Sequence, residues 1–208
     1  MSKITIHRAL SELKLLDARI NRAISDLNVA GVKKNSGSLV ADTRLTPEQF
    51  AAQAQSGMDS VLGLIERRDT IKRAIVQSNA TTQVEIGGVK YTVAEAIERK
   101  TSIQYDKALY QKLNQAKTGM MRNYNQLQKS MEDALERQLQ VMGGADKTAK
   151  SEGLLAFAEG YREQNGYEMI DPLGVDGLVT NMRNDIEAFE ADVDSVLSES
   201  NAVTFIEV

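Results

Sequence analysis

Apolar residues recur every three or four positions over most of this chain, and this spacing predicts five helices. The predicted helices cover about residues 6–28, 47–78, 93–142, 151–164 and 175–198. Such spacing places the apolar side chains on one stripe, as in a helix that buries one face. The clearest stripe, in the last predicted helix, consists of Val179, Met182, Ile186, Phe189, Val193 and Val196.

Residue types at the ends of these stripes mark where helices begin. Thr46 and Gln49, with Pro47 between them, form a capping box, and Thr92 and Glu95 form a second one. Residues 28–45 lose the helical period, so we expect a mobile connection whose length makes it a candidate for binding. Residues 143–174 also change character, and Pro172 cannot continue a helix. We expect a packed elbow there.

The third predicted helix is unusually long. A continuous helix from Val93 to Met142 would span roughly 75 Å at about 1.5 Å per residue. Its apolar stripe would remain exposed to solvent without other helices packed beside it. We therefore expect partner helices from the same chain or from other subunits.

A short sequence motif occurs twice, each time at the end of a predicted helix. Ser78-Asn79-Ala80 and Ser200-Asn201-Ala202 are each followed by an alternating segment with strand character. We expect Asn to stop each helix in a left-handed conformation. Gly87-Gly88 predicts a hairpin over 81–91, which we expect to form one small sheet with a C-terminal strand, 203–208. The predicted fold is mainly α: one elongated antiparallel helical bundle, 1–208, with a small β-sheet.

Composition narrows the possible functions. Only 5% of the residues are aromatic, which suits helices packed through aliphatic side chains. The chain has no Cys, and this excludes disulfides and thiolate chemistry. A net charge of -4 argues against nonspecific nucleic-acid binding. Because no apolar run is long enough to cross a membrane and the start has no signal-peptide core, we expect a soluble protein made in a cytoplasm.

Candidate chemistry is sparse. His7 is the one histidine, which excludes metal motifs that need two or more histidines. Because it lies next to a predicted helix start, we expect a structural or solvent-facing residue and no Ser-His-Asp triad. Acidic residues near the last stripe, such as Glu187 and Glu190, are predicted to face water. A basic cluster (Arg67, Arg68, Lys72 and Arg73) has the mixed charge of a solvated helix face, with nucleic-acid contact as the alternative. We predict no catalytic residue, no cofactor and no metal.

Both ends of the chain resemble a known group of proteins. The opening from Lys3 to Asp17 and the closing segment from Phe189 to Ala202 resemble uncharacterised coiled-coil proteins of tailed bacteriophages, some labelled viral A-type inclusion protein. Residues 64–100 are more weakly similar to the DIP1984 family of small helical proteins. The first resemblance implies a phage origin and a place in or around the virion.

These observations predict a non-enzymatic phage structural or assembly protein, located in the virion or the host cytoplasm. Its partners would be other phage proteins or further copies of itself, with no membrane and no nucleic acid. The alternative is a non-structural phage protein that binds a host defence factor. The predicted packing and interaction residues are Leu113, Met120, Leu127, Val179, Ile186, Phe189, Phe205 and Ile206.

Overall fold

The computed structural model describes residues 3–143 and 152–208, and the prediction of a mainly α fold is confirmed. The helices are α1 (Ile6–Ser25), α2 (Pro47–Thr81), α3 (Val93–Gly143), α4 (Glu152–Asn165) and α5 (Val175–Val203). The strands are β1 (Lys3–Thr5), β2 (Gln83–Ile86), β3 (Val89–Thr92) and β4 (Phe205–Glu207). Of the predicted elbow at 143–174, residues 144–151 lie outside the described part of the chain.

The chain groups into two compact units. The first extends to Thr101 and includes Ala188–Val208, and the second is Ser102–Glu187. The first unit therefore contains the start of α3 and the end of α5, and the second contains the rest of both helices. The prediction of one elongated domain stays a prediction, and the units are described one at a time.

Both predicted capping boxes are present. In the first, the Gln49 amide N–H donates to Thr46 Oγ1 and the Thr46 amide N–H donates to Gln49 Oε1. In the second, the Thr92 amide donates to Glu95 Oε2 at 2.7 Å and the Glu95 amide donates to Thr92 Oγ1 at 3.1 Å. The hydrogen bond from the Thr92 amide lowers the pKa of Glu95 below its ordinary value. Local sequence therefore fixes where α2 and α3 begin.

The predicted hairpin forms, but the prediction of one sheet is wrong. Strands β2 and β3 pair with each other, and β4 pairs with β1 at the N-terminus in a separate two-stranded sheet. Gly87 and Gly88 both have positive φ, as a two-residue turn requires. Strand β1 is too short for a periodic signal, so the sequence pattern did not show the partner of β4.

The prediction that Asn stops each helix is also wrong. Asn79 and Asn201 both lie inside a helix, and Asp42 is the non-glycine residue with positive φ in the described part of the chain. The last helical turns close instead through amides further along: Thr82 N–H donates to the Ser78 carbonyl and Thr204 N–H to the Ser200 carbonyl. Thr82 then takes an extended conformation as the chain enters a strand.

The first unit contains the same helix–strand–strand–helix arrangement twice. Cross-strand pairs match, because Lys3 faces Glu207 in one sheet and Lys90 faces Glu85 in the other. The first amide of the following helix also matches: Ile6 N–H donates to the Thr204 carbonyl at 2.9 Å and Val93 N–H to the Thr82 carbonyl at 2.9 Å. The segments α5-β4 and β1-α1 are therefore equivalent to α2-β2 and β3-α3.

The equivalence extends to the side chains between the helices. Arg67 on α2 pairs with Glu12 on α1, with 2.9 Å between Nε and Oε1. The corresponding positions on α5 and α3 hold Phe189 and Arg99, whose guanidinium lies 5.8 Å from the Phe189 ring centre. An ion pair and a cation–π contact thus occupy equivalent positions where a helix of one copy meets a helix of the other.

The core of the first unit is continuous around α1. It joins both strands of the first sheet to the inner faces of α1 and α2, and it consists of Ile4, Ile6, Ala9, Leu13, Leu16, Ile20, Ile71, Ile75, Ile206 and Val208. Around the second sheet, the buried residues include Ile86, Val93 and Ala96, together with Phe189 and Val193 from α5. Apolar burial of this kind is the main stabilising contribution to such a unit.

Candidate functional site

The apolar stripe of α3 in the second unit is only partly covered. Met131 and Leu135 are buried, whereas Leu113, Met120 and Leu127 are half-buried. Val179 and Ile186, on the part of α5 in this unit, are buried. The stripe therefore has partners in its own chain, but they do not enclose it.

One side of this stripe is more exposed than the other. We call it the open flank, and it consists of Tyr105, Leu109, Ala116, Leu127, Ala134 and Val141, of which Leu127 and Ala134 are half-buried. Steps of four, seven and eleven residues keep these positions on one side of an α-helix. Tyr105 is 79% exposed, Leu109 51% and Val141 84%. A helix from another molecule could cover this side without disturbing the buried side.

Ion pairs hold α4 and α5 against α3. Arg162 on α4 donates two hydrogen bonds to the Glu132 carboxylate, at 2.8 Å and 3.0 Å. This hydrogen-bonded pairing lowers the pKa of Glu132 and raises that of Arg162. Lys117 on α3 pairs with Asp176 on α5. Both ion pairs are partly exposed and contribute little to stability, so the buried Met131 and Leu135 are the better mark of the covered side of α3.

The connection between α4 and α5 presents apolar side chains to solvent. Its ends are anchored: the Tyr167 amide donates to Gln128 Oε1 at 3.3 Å, and the Val175 amide donates to the Asp171 carboxylate at 2.8 Å. Met169 is nevertheless 49% exposed and Ile170 70%. The prediction of a packed elbow is therefore wrong for these two side chains, because α4 already ends at Asn165 and no described element covers them.

The remaining predicted packing residues lie in the first unit. Phe189 is buried and meets the Tyr91 ring edge-on, with 5.9 Å between ring centres. Ile206 is buried in the core, whereas Phe205 is 54% exposed beneath the Lys3 ammonium group. Alternation along β4 explains the difference, because successive side chains point to opposite faces. Whether any of these residues contacts another molecule stays a prediction.

Residues 26–46 fold back on themselves rather than running as an irregular connection. Val40 is buried, a bridge joins Lys33 to Val40, and the Val40 amide donates to the Leu45 carbonyl at 2.9 Å. Asp42, with a φ of 59°, makes the turn between them. The mobility predicted for residues 28–45 stays a prediction.

A cleft of about 300 Å³ lies beside this loop, and sequence reasoning missed it. We call it the α1–α2 cleft. It is lined by Ala23, Asp26, Leu27, Asn28, Thr43, Leu45, Phe50, Gln53, Gly57 and Ser60. The helical spacing of Phe50, Gln53, Gly57 and Ser60 was a signal that could have indicated a shared face on α2.

The basic cluster is partly neutralised within the unit. Arg67 pairs with Glu12, and Arg68 pairs with Asp17 at 2.6 Å, a hydrogen bond that raises the pKa of Arg68. Both acids belong to α1, so these arginines join α1 to α2. This favours the reading of a structural helix face over nucleic-acid contact.

Within residues 3–143 and 152–208, no group of His, Asp or Glu side chains is placed to hold a metal ion. His7 is exposed on α1, and Glu187 and Glu190 are exposed on α5. No helix in the described ranges is long and apolar enough to cross a membrane. No protein-family model, curated protein or solved structure matches the chain.

Proposed function

We propose that this protein is a non-enzymatic bacteriophage structural or assembly protein, associated with the virion as a capsid, neck or tail subunit. It would act through helix packing and protein–protein contacts, with other phage proteins or further copies of itself as partners. The observation that carries the proposal is the open flank of α3. The phage setting rests on the resemblance of the two ends of the chain.

The open flank supports a contact role on energetic grounds. Each exposed large apolar side chain that becomes buried contributes roughly 1.5–3 kcal/mol. Tyr105, Leu109 and Val141 are all more than half exposed and lie on one side of the same helix. Exposed apolar side chains that share one helix face offer a surface that a partner helix can bury. The exposed side chains of the α4–α5 connection extend the apolar surface of this unit.

Mass spectrometry of purified virions tests the proposal directly. A structural subunit is expected at many copies per particle, in constant ratio to the major capsid protein. Absence from particles that have been stripped of loosely bound proteins would contradict it.

A pair of variants tests whether the open flank makes the contact. Leu109→Asp with Val141→Asp should prevent incorporation into particles, because burial of unpaired charge is costly. The matched control, Gln111→Asp with Gln140→Asp, places the same charges at exposed positions off the flank. Equal incorporation of both double variants would show that the flank is not the contact surface.

A second candidate function is a non-structural phage protein that binds a host defence factor. The observation that favours it is the self-closed loop at residues 26–46 beside the α1–α2 cleft. This candidate predicts absence from the virion and a host phenotype that depends on the loop. Deletion of the loop tip, residues 34–38, would abolish that phenotype while leaving particle assembly unchanged.

A further inference from the structure

The α1–α2 cleft has the shape of a small binding site. Its walls are largely apolar, with Leu27 from the end of α1, Leu45 from the loop and Phe50 from α2. Gly57 makes room for the Leu27 side chain, because a Cβ at this position would lie 2.8 Å from Leu27 Cδ1. With a volume of about 300 Å³, the cleft is large enough for a group of a few heavy atoms on an apolar stem.

The charged side chain in the lining of the cleft is negative. Asp26 contributes a carboxylate, and no lysine, arginine or histidine is among the described residues that line the cleft. Asp26 is also the C-cap of α1, so the negative end of the helix dipole adds to its charge, and Arg22 in the last turn of α1 partly offsets it. The other polar lining residues, Asn28, Thr43, Gln53 and Ser60, are neutral and supply hydrogen-bond acceptors.

This combination favours an organic cation. The face of an aromatic ring such as Phe50 attracts a guanidinium or ammonium group, and apolar walls accommodate the stem that carries it. Anions are disfavoured beside Asp26 and a helix C-terminus. A bare metal ion is disfavoured too, because Ca²⁺ and Mg²⁺ prefer several oxygen ligands and a single carboxylate supplies too few.

The loop side of the cleft is formed before any ligand arrives. Thr43 Oγ1 donates to the Val40 carbonyl at 2.9 Å and accepts from the Leu45 amide at 3.2 Å. These bonds hold Thr43 and Leu45 in the wall. Preorganisation lowers the entropy lost on binding.

We propose that the α1–α2 cleft binds a guanidinium or ammonium group on an apolar stem, with Asp26 as its counter-ion and Phe50 as its aromatic wall. The group could belong to a free small molecule or to a basic side chain of a partner protein. This site is independent of the virion role proposed above, so either proposal can fail while the other holds.

Amide-detected NMR titration of the full-length protein tests the site with two probes. Arginine ethyl ester represents a free cation, and a tripeptide with a central arginine and blocked ends represents a partner side chain. We expect saturable shifts at the amides of Leu27, Phe50 and Gly57 with at least one probe. A response to the ester alone indicates a small molecule, and a stronger response to the tripeptide indicates a protein partner.

Variants separate a specific site from general attraction of cations. Asp26→Asn should weaken binding by about tenfold, the loss expected for a charge-assisted hydrogen bond. Phe50→Leu should weaken it about threefold. Asp59→Asn is the matched control, because Asp59 lies beside Ser60 on α2 but does not line the cleft. It should leave the affinity unchanged.

Gly57→Ala provides a variant that does not alter charge. The new Cβ would push the Leu27 methyl group into the cleft, so binding should fall while the amide spectrum away from the cleft stays the same. Linear, unsaturable shifts with both probes would overturn the proposal. Equal affinity for the wild type and Asp26→Asn would also overturn it.

Discussion

The two units of this protein carry similar apolar periodicity but bury it to very different extents. In the first unit, the stripe of α1 is buried over Ile6, Ala9, Leu13, Leu16 and Ile20, because α2 and the first sheet close over it. In the second, the stripe of α3 reaches full burial at Ile103, Met131 and Leu135 but is half-buried at Leu113, Met120 and Leu127. The comparison shows that α2 and the first sheet enclose the stripe of α1, whereas the α3 stripe in the second unit is only partly covered.

The largest expected effect distinguishes the two copies within the first unit. Phe189→Ala should lower the free energy of unfolding by about 3–5 kcal/mol, because it removes a buried ring. Arg67→Ala, at the equivalent position in the other copy, should cost about 0–1 kcal/mol, since its ion pair is partly exposed. Urea denaturation of both variants measures the difference. Similar losses of stability in the two variants would contradict the prediction that these equivalent positions differ in burial.

The next prediction compares the two units. Ile71→Ala should cost about 2–5 kcal/mol, because Ile71 is fully buried beside α1. Leu109→Ala, on the open flank, should change the stability of the isolated chain by less than about 1 kcal/mol. Thermal and urea unfolding of the purified chain provides the measurement. A large loss for Leu109→Ala at low protein concentration would mean that the flank is already covered within one molecule.

Helix caps should give intermediate effects. Thr92→Ala removes both the hydroxyl acceptor and the fixed partner of Glu95, and we expect a loss of about 1 kcal/mol. Thr5→Ala, at the equivalent position in the other copy, removes one hydrogen bond to the Arg8 amide and should cost less. Calorimetric unfolding of the two variants tests this order, and the reverse order would show that Glu95 contributes nothing to the cap.

The smallest effect concerns pH in the second unit. Pairing with Arg162 lowers the pKa of Glu132 in the folded chain, so this ion pair stabilises the unit above the ordinary carboxyl range. The contribution is lost as the pH falls through the lowered pKa, when the carboxylate becomes protonated. The difference in Tm between wild type and Glu132→Gln should therefore be present at neutral pH and disappear in acid. Glu136→Gln is the control at an exposed neighbouring position, and an equal pH response in that variant would contradict the prediction.

The candidate sites were less predictable than the helices. Leu113, Met120 and Leu127 were recognisable as a stripe from their spacing, but spacing does not tell how much of a stripe a neighbour covers. The α1–α2 cleft was missed because its lining comes from three separated segments. Only chain folding brings Asp26, Thr43 and Phe50 together.

Local sequence signals define the helices and the hairpin. Apolar spacing, capping boxes at Thr46 and Thr92, and the Gly87-Gly88 turn are local signals, because each depends on residues a few positions apart. The tertiary structure decided the partner of β4, since β1 lies at the other end of the chain and pairing across that distance depends on how the helices pack. It also decided that Asn79 and Asn201 stay helical, because the strands and the amides of Thr82 and Thr204 set the helix ends. Burial also depended on the tertiary structure. Apolar periodicity identifies the face of a helix that can be buried, and the neighbouring elements determine whether that face is enclosed.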